Sequence, residues 1–426
     1  MKRFIFAALL FAGAAAFLLT ADTQSLPDRG TIVTASASSA GAEASLIERV
    51  MREPNRADGY VDLAQYYLGQ ARATADETFF VPRVEAQLKK ALDLDPNHYR
   101  ARVLRGTLLN KLHQFEQSEA QARELIAESP GHAYNYGTLV DALVELGRYD
   151  EAVTAMDQML ERRPDLSSYS RASYIRELLG DEEGAIRAME FAAGAGTIGS
   201  EGRSWALYQL SQLALGSGDH AAARRILTGI LEEHPGYAHA VAGLAHLALL
   251  EGRVQHADYL IEQAMALAPG AGFEELALEV YLAMGDEQRA AEATIAIERG
   301  LEDAQAMGEN VNMELADFYA DEETRLDGAL WLASIEIARR PDHLHANETY
   351  AWVLHKLGRS EQAIEFIDHA MRFDNGDAKL SFRAGQIYVG AGLVAQGRTL
   401  LERALEEGLH IESPSAAAEA TDILAG

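Results

Sequence analysis

A glycine followed five residues later by a small residue recurs seven times along the chain. Six copies use alanine: Gly147/Ala152, Gly180/Ala185, Gly218/Ala223, Gly252/Ala257, Gly285/Ala290 and Gly358/Ala363. A seventh, Gly392/Gly397, puts glycine in the small position. Prolines keep the same measure: Pro96, Pro130 and Pro164 lie 34 apart, as do Pro235 and Pro269. Glycine accepts the left-handed backbone at a helix end without a Cβ clash. A small residue lets two helices cross closely. Proline ends a helix because it cannot continue the hydrogen-bond ladder. One helix-turn-helix unit is therefore written repeatedly. Such units bury their apolar stripes only by stacking on each other.

The unit from Ala133 to Pro164 shows the pattern most fully. Tyr136, Leu139, Val140 and Leu143 share one face of a first helix, Gly147 closes it, and Ala152, Met156 and Met159 form the inner face of a second. The same positions are Gly106, Leu109, Phe115 and Ser118 in the preceding unit, and Leu244, Ala245, Ala248, Ala257 and Ala264 in a later one. The spacing resembles the tetratricopeptide repeat, whose 34-residue consensus of tryptophan, glycine, tyrosine, alanine, phenylalanine and proline each unit meets in part. The resemblance implies an all-α fold: an α-solenoid of about ten stacked helix-turn-helix units in a right-handed superhelix, with a concave groove that binds a peptide or protein. Departures are expected at three places. An insertion lies around Ala71 to Arg83, the unit from Asn310 to Pro341 lacks its turn glycine, and stretched joints lie at 193–203 and 298–309. The order of units, including Arg163-Pro164-Asp165, is similar to exported bacterial multi-repeat proteins, a likeness that brings no assigned activity.

The termini divide the chain further. Met1-Lys2-Arg3 followed by the apolar run Phe4 to Leu19 reads as a secretory signal, cleaved after Ala21. An uncleaved inner-membrane anchor is the alternative, although the run is short for a full span. We therefore expect a signal or anchor over 1–21, a flexible linker over 22–43, a capping helix over 44–57, the solenoid over 58–406 and a C-terminal cap over 407–426. The expected location is exported, periplasmic or secreted.

The chain carries 65 acidic and 37 basic residues, a formal charge of −28. That opposes general affinity for nucleic acid, whose phosphates need Lys and Arg, and favours basic partners. It holds no cysteine, which excludes disulfides and thiolate chemistry. Gly194, Gly196 and Gly199 spell a dinucleotide fingerprint, but no strand precedes them, so they read as an inter-repeat loop. No Walker loop, nucleophile elbow or zinc motif is present. No catalytic residue, cofactor or metal is expected, and the membrane is a partner only through an uncleaved anchor.

The resemblance places the first-helix residues that face away from the core on the groove. Counting outward from the core gives Tyr134, Asp141, Arg171, Tyr174, Trp205, Tyr208, Gln212, His239 and His246. The line continues through Glu279, Phe318, His345, Trp352, His355, Phe382 and Arg383. Amphipathic rings on an exposed groove suit peptide recognition. Packing of the same rings between units is the competing expectation. Two functions follow: an exported adaptor for a basic peptide or protein segment, or a structural spacer that joins an envelope complex through its ends.

Overall fold

The computed structural model describes residues 34–74 and 76–425. The candidate signal and residues 22–33 of the expected linker lie outside the described residues. A first helix, α1 (Thr34–Arg52), leads into ten helix pairs. The first five are α2/α3 (Ala57–Thr74, Glu77–Leu94), α4/α5 (Tyr99–Lys111, Phe115–Glu128), α6/α7 (Ala133–Glu145, Tyr149–Arg162), α8/α9 (Leu166–Leu178, Glu182–Ala195) and α10/α11 (Glu201–Gly216, His220–Glu233). The next five are α12/α13 (Ala238–Leu250, Val254–Leu267), α14/α15 (Glu274–Met284, Glu287–Ala306), α16/α17 (Asn312–Asp321, Leu326–Arg339), α18/α19 (Leu344–Lys356, Ser360–Ala370) and α20/α21 (Ala378–Gly390, Val394–Glu406). Two short helices, α22 (Leu409–Glu412) and α23 (Pro414–Ala425), close the chain. No strand occurs among the described residues.

The repeat pattern is read out directly. All seven turn glycines take left-handed backbone, with φ from 70° to 83°. Their alanine partners are buried, and a Cβ at Gly397 would meet Val389 Cγ2 at 2.6 Å and the Gly385 carbonyl at 2.7 Å, which is why that copy uses glycine. Where glycine is missing, other residues take its conformation. His113 stands at the turn of α4/α5 with φ 53°, and Glu323 and Arg325 do so between α16 and α17. Leu125, Leu143 and Ile230 are fully buried between helices. Each such side chain contributes about 1.5–3 kcal/mol.

Two expectations are corrected, at the N-terminal linker and at the joint over 298–309, and a third is given its form. The linker and capping helix are not separate over 34–43, because α1 begins at Thr34, ten residues before the expected cap. The insertion expected near Ala71 to Arg83 is present, and lengthens α2 and α3 to 18 residues each, with Pro82 inside α3. The expected joint at 298–309 is largely helical, because α15 runs on to Ala306.

The solenoid coils tightly enough to touch itself. The turns of α4/α5 and α6/α7 pack on the joints before α16 and α18, some 195 residues later. The Asn310 N–H donates to the Leu112 carbonyl (3.1 Å) and the Leu344 N–H to the Tyr149 hydroxyl (3.0 Å). Arg339 forks onto Glu116, and Arg340 bridges Glu145 (3.2 Å) and Glu336 (2.9 Å). A second seam forms at the far end. There His246 Nε2 meets the Ile411 carbonyl at 2.8 Å, and Glu279 accepts from Ser413 and Ser415. The concave face is therefore the wall of an interior, divided into two cavities.

Candidate functional site

The larger cavity, about 570 Å³, is bounded by α2, α4, α10, the Tyr237 to Glu275 joints, α15 and α16. Its rings are His113, Trp205, Tyr237, His239 and Phe318. The last four are held there by first-helix starts, which the stacking points inward at every unit. His239 sits among Tyr208, Tyr237 and Phe273, at 5.3–5.4 Å between ring centres. The carboxylates of this wall are Asp76, Glu77, Glu201, Glu274, Glu275, Asp303, Glu309, Glu314 and Asp317. Among the described residues, its lysine or arginine residues are Arg72, Lys111 and Arg299. Glu77 engages Lys111 at 2.5 Å, and Glu201 lies 3.8 Å from Arg72. Burial opposes the Lys111 ammonium, but Glu77 and Glu309 outweigh it and raise its pKa. The wall is thus strongly negative with most of its cations already engaged. Burial also raises the Glu314 carboxyl above the usual range, with His113 opposing. Trp205 is 5% exposed, and its indole N–H has no hydrogen-bond partner among the described residues.

A smaller cavity of about 370 Å³ lies between α8–α10, α12 and the C-terminal segment. Tyr174, Gln212, His246 and His345 line it.

The sixteen residues expected on one continuous groove therefore separate. Trp205, His239 and Phe318 meet in the larger cavity, and Tyr174, Gln212, His246 and His345 in the smaller. The others serve the frame. Asp141 and Arg171 form a buried bidentate pair with both contacts at 2.6 Å; burial pushes the Asp141 carboxyl up to about 6, against Arg171. Tyr208 is buried beside His239, and half-buried Tyr134 lies under the Arg163 guanidinium. Glu279 belongs to the C-terminal seam. Phe382 is core beneath α23. Trp352 stacks on His355 and donates from Nε1 to Asp321 (2.7 Å). Arg383, fully buried, contacts Asp317, Asp321 and Glu348. For these residues packing between units wins, because an inward-pointing side chain in a narrow bore meets the next unit before it meets solvent.

Sequence reasoning missed Glu274, Glu275, Asp303, Glu309 and Glu314. Glu274, Glu275 and Glu314 lie in the first turns of the first helices α14 and α16, Glu309 on the joint between α15 and α16, and Asp303 on the second helix α15. The excess of acid was visible in the composition, but its convergence was not. Gly196 and Gly199 fall in the α9–α10 joint, with Gly199 in left-handed backbone (φ 75°), as expected for a loop, whereas Gly194 lies in the last turn of α9. Among the described residues no group of three or more His, Asp or Glu is placed to hold a metal ion, and no helix is long and apolar enough to cross a membrane.

Tetratricopeptide repeat profiles match residues 113–173, 214–271 and 344–377. Those three stretches are tetratricopeptide repeats. No curated protein sequence matches it. Solved structures similar to it include a thermophilic tetratricopeptide repeat protein of Thermus thermophilus, 17% identical, covering 45% of this chain and 99% of that one, TM-score 0.40. A tetratricopeptide repeat protein of Parabacteroides merdae is 15% identical over 59% of this chain and 93% of that one, TM-score 0.40. The human IFIT1 dimer with m7Gppp-AAAA is 13% identical over 94% of each chain, TM-score 0.44. These TM-scores are too low to carry any inference about what this chain binds. Tetratricopeptide scaffolds as a class bind proteins or peptides and are generally non-enzymatic.

The rings of the larger cavity carry a pH signature. Burial lowers the pKa of His239 from 6.5 to about 4. His239 is neutral when folded and takes up a proton on unfolding once the pH is below 6.5. Its stability contribution is full above that pH and falls by about 3 kcal/mol on descent to pH 4. Buried His343, its pKa depressed by burial and by Arg340, acts in the same sense. We expect the Tm to drop between pH 6.5 and 4.5, and His239→Phe to flatten part of that slope in thermal melts. An unchanged slope would mean the ring is hydrated.

Proposed function

We propose that this tetratricopeptide protein is an exported, non-enzymatic adaptor that takes a basic peptide segment of a protein partner into its larger cavity. The observation that carries this reading is the wall itself: among the described residues nine carboxylates converge with three Lys or Arg residues and five rings on one interior of about 570 Å³. Carboxylates hold ammonium and guanidinium groups by charge-assisted hydrogen bonds. Tyr237, His239 and Phe318 supply faces for aliphatic stems, and the unpaired Trp205 N–H suits a main-chain carbonyl.

Export rests on the Lys2-Arg3 start and the apolar run to Leu19. With export, the fitting roles are envelope assembly, secretion or surface-polymer export. The spacer alternative calls for a rod with free ends. The contacts between units 195 residues apart favour a compact coil instead and weigh against it.

The test is anisotropy titration of fluorescent twelve-residue peptides, one rich in Arg and Lys and one rich in Asp and Glu. The basic peptide binds selectively, and binding weakens steeply with salt. The triple variant Glu274→Gln, Glu275→Gln, Asp303→Asn reduces affinity at least tenfold with unchanged helicity. Equal binding of the acidic peptide, or an unaffected triple variant, removes the proposal. N-terminal sequencing of the protein recovered from fractionated cells checks export, with a start at Asp22 expected.

A further inference from the structure

The larger cavity holds a titratable ring between two of its carboxylates. His113 stands at the α4–α5 turn, buried against the joint before α16. Its Nδ1 lies 3.1 Å from the Asn310 carbonyl, which only accepts, so Nδ1 carries the hydrogen. In the neutral ring Nε2 then holds the lone pair, 3.7 Å from Glu309 Oε1. Glu314 Oε1 lies 3.7 Å from Nδ1. Both carboxylates belong to the acidic wall. A neutral ring answers neither charge. A protonated ring donates from both nitrogens and sets a cation between them. The other charged groups at this corner answer one another. Lys111 pairs with Glu77, Arg339 with Glu116, and Arg340 with Glu145 and Glu336, while His343 stands 3.6 Å from Glu145.

We propose, resting on the adaptor role just given, that His113 is an acid switch for the larger cavity: on taking a proton it pairs with Glu309 and Glu314 and releases the basic segment bound there. Proton and peptide compete for the same two carboxylates, so each weakens the other by the same factor. A proton on either His113 or Glu314 removes one negative charge from the wall. Glu314 favours this outcome. Its Oε2 is buried without a hydrogen-bond partner among the described residues, and burial raises its carboxyl above the usual range. His239 on the same wall stays neutral throughout, because burial lowers its pKa to about 4. The switch also tightens the coil. A neutral Nε2 offers Glu309 only a lone pair, whereas a protonated one adds an ion pair across the seam.

Anisotropy titration of a fluorescent twelve-residue peptide of Arg and Gly tests this at pH 7.5 and 5.5, a span over which histidines change charge and Arg does not. Wild-type affinity falls about tenfold at the lower pH. In His113→Asn the two affinities stay within about twofold of each other. Asparagine tolerates the left-handed backbone and keeps an amide donor for the Asn310 carbonyl. Glu309→Gln, which leaves the ring in place, loses less than about threefold and decides the point if His113→Asn lacks native helicity. Calorimetry at pH 6.5 in buffers of different ionisation enthalpy shows protons released as the wild type binds, and fewer in the variants. Equal wild-type affinity at both pH values, the full loss retained in the folded variants, or binding without proton release overturns the switch and leaves the adaptor role standing. An Arg peptide that fails to bind at pH 7.5 removes the adaptor role, and the switch with it.

Discussion

Replacing Arg383 with alanine lowers the stability of the C-terminal units by about 3–5 kcal/mol, the usual cost of leaving a buried charge unpaired. Arg383 sits on α20 and is fully buried. It joins Asp317 (2.6 Å) and Asp321 (3.0 Å) on α16 to Glu348 (3.0 Å) on α18, with Lys379 beside them at 3.5 Å from Asp317. Burial works against ionisation of Asp317, but Arg383 and Lys379 outweigh it and hold that carboxyl well below its usual range. Removing the guanidinium leaves three carboxylates facing one ammonium inside three units. Because each unit packs on its neighbours, the loss should be local. Amide exchange should rise from α16 to α23, with a smaller rise in the α4/α5 and α6/α7 turns that Arg339 and Arg340 join to them, and stay unchanged in α2 and α3. Arg383→Lys restores the charge but not the fork, so it falls between the two. The folded carboxylate pKa lies below the unfolded one, so the cluster stabilises at neutral pH and that contribution fades below about pH 4. Wild-type exchange rates in Arg383→Ala would show that the cluster contributes nothing.

Two glycines in the same place within their units should respond differently to alanine. Gly147 and Gly252 both have left-handed backbone, with φ 75° and 71°. Alanine there costs about 1–2 kcal/mol from conformation alone. At Gly252 nothing lies within 4 Å of the added Cβ, so that is the whole effect. At Gly147 the Cβ would meet the His343 amide nitrogen at 2.5 Å and the Asp342 carbonyl carbon at 2.6 Å, both backbone atoms of the next turn of the coil. Overpacking adds about 1–3 kcal/mol, and Gly147→Ala should destabilise by roughly 2–5 kcal/mol in total. It should also loosen the Arg340 to Glu145 seam, visible as a larger radius of gyration in solution scattering. Equal melting losses for the two variants would mean the coil does not close there.

Local rules were legible because they act within one unit. The turn glycine, the small residue five positions on and the terminal proline each answer a clash or a missing hydrogen bond a few residues away. The pattern gave helix order, turn positions and even the odd unit at 310–341, whose substitute turn uses Glu323 and Arg325. It failed for α1 and α15, where helices outrun the expected bounds without any marker residue. The site was less legible. Trp205, His239 and Phe318 were on the expected line and do converge, whereas Arg171, Trp352, Phe382 and Arg383 shared the same line and became packing. Spacing separates inward from outward on one helix. It does not say what stands opposite.

Sequence alone determined the unit, its number and its stacking, because nearest-neighbour burial is encoded in short-range periodicity. Only the tertiary structure decided how tightly the stack coils. That curvature is the sum of small rotations at every joint, and no single residue specifies it. The sum brings His113 to Asn310 and His246 to Ile411, and so turns an open face into two acid-lined interiors.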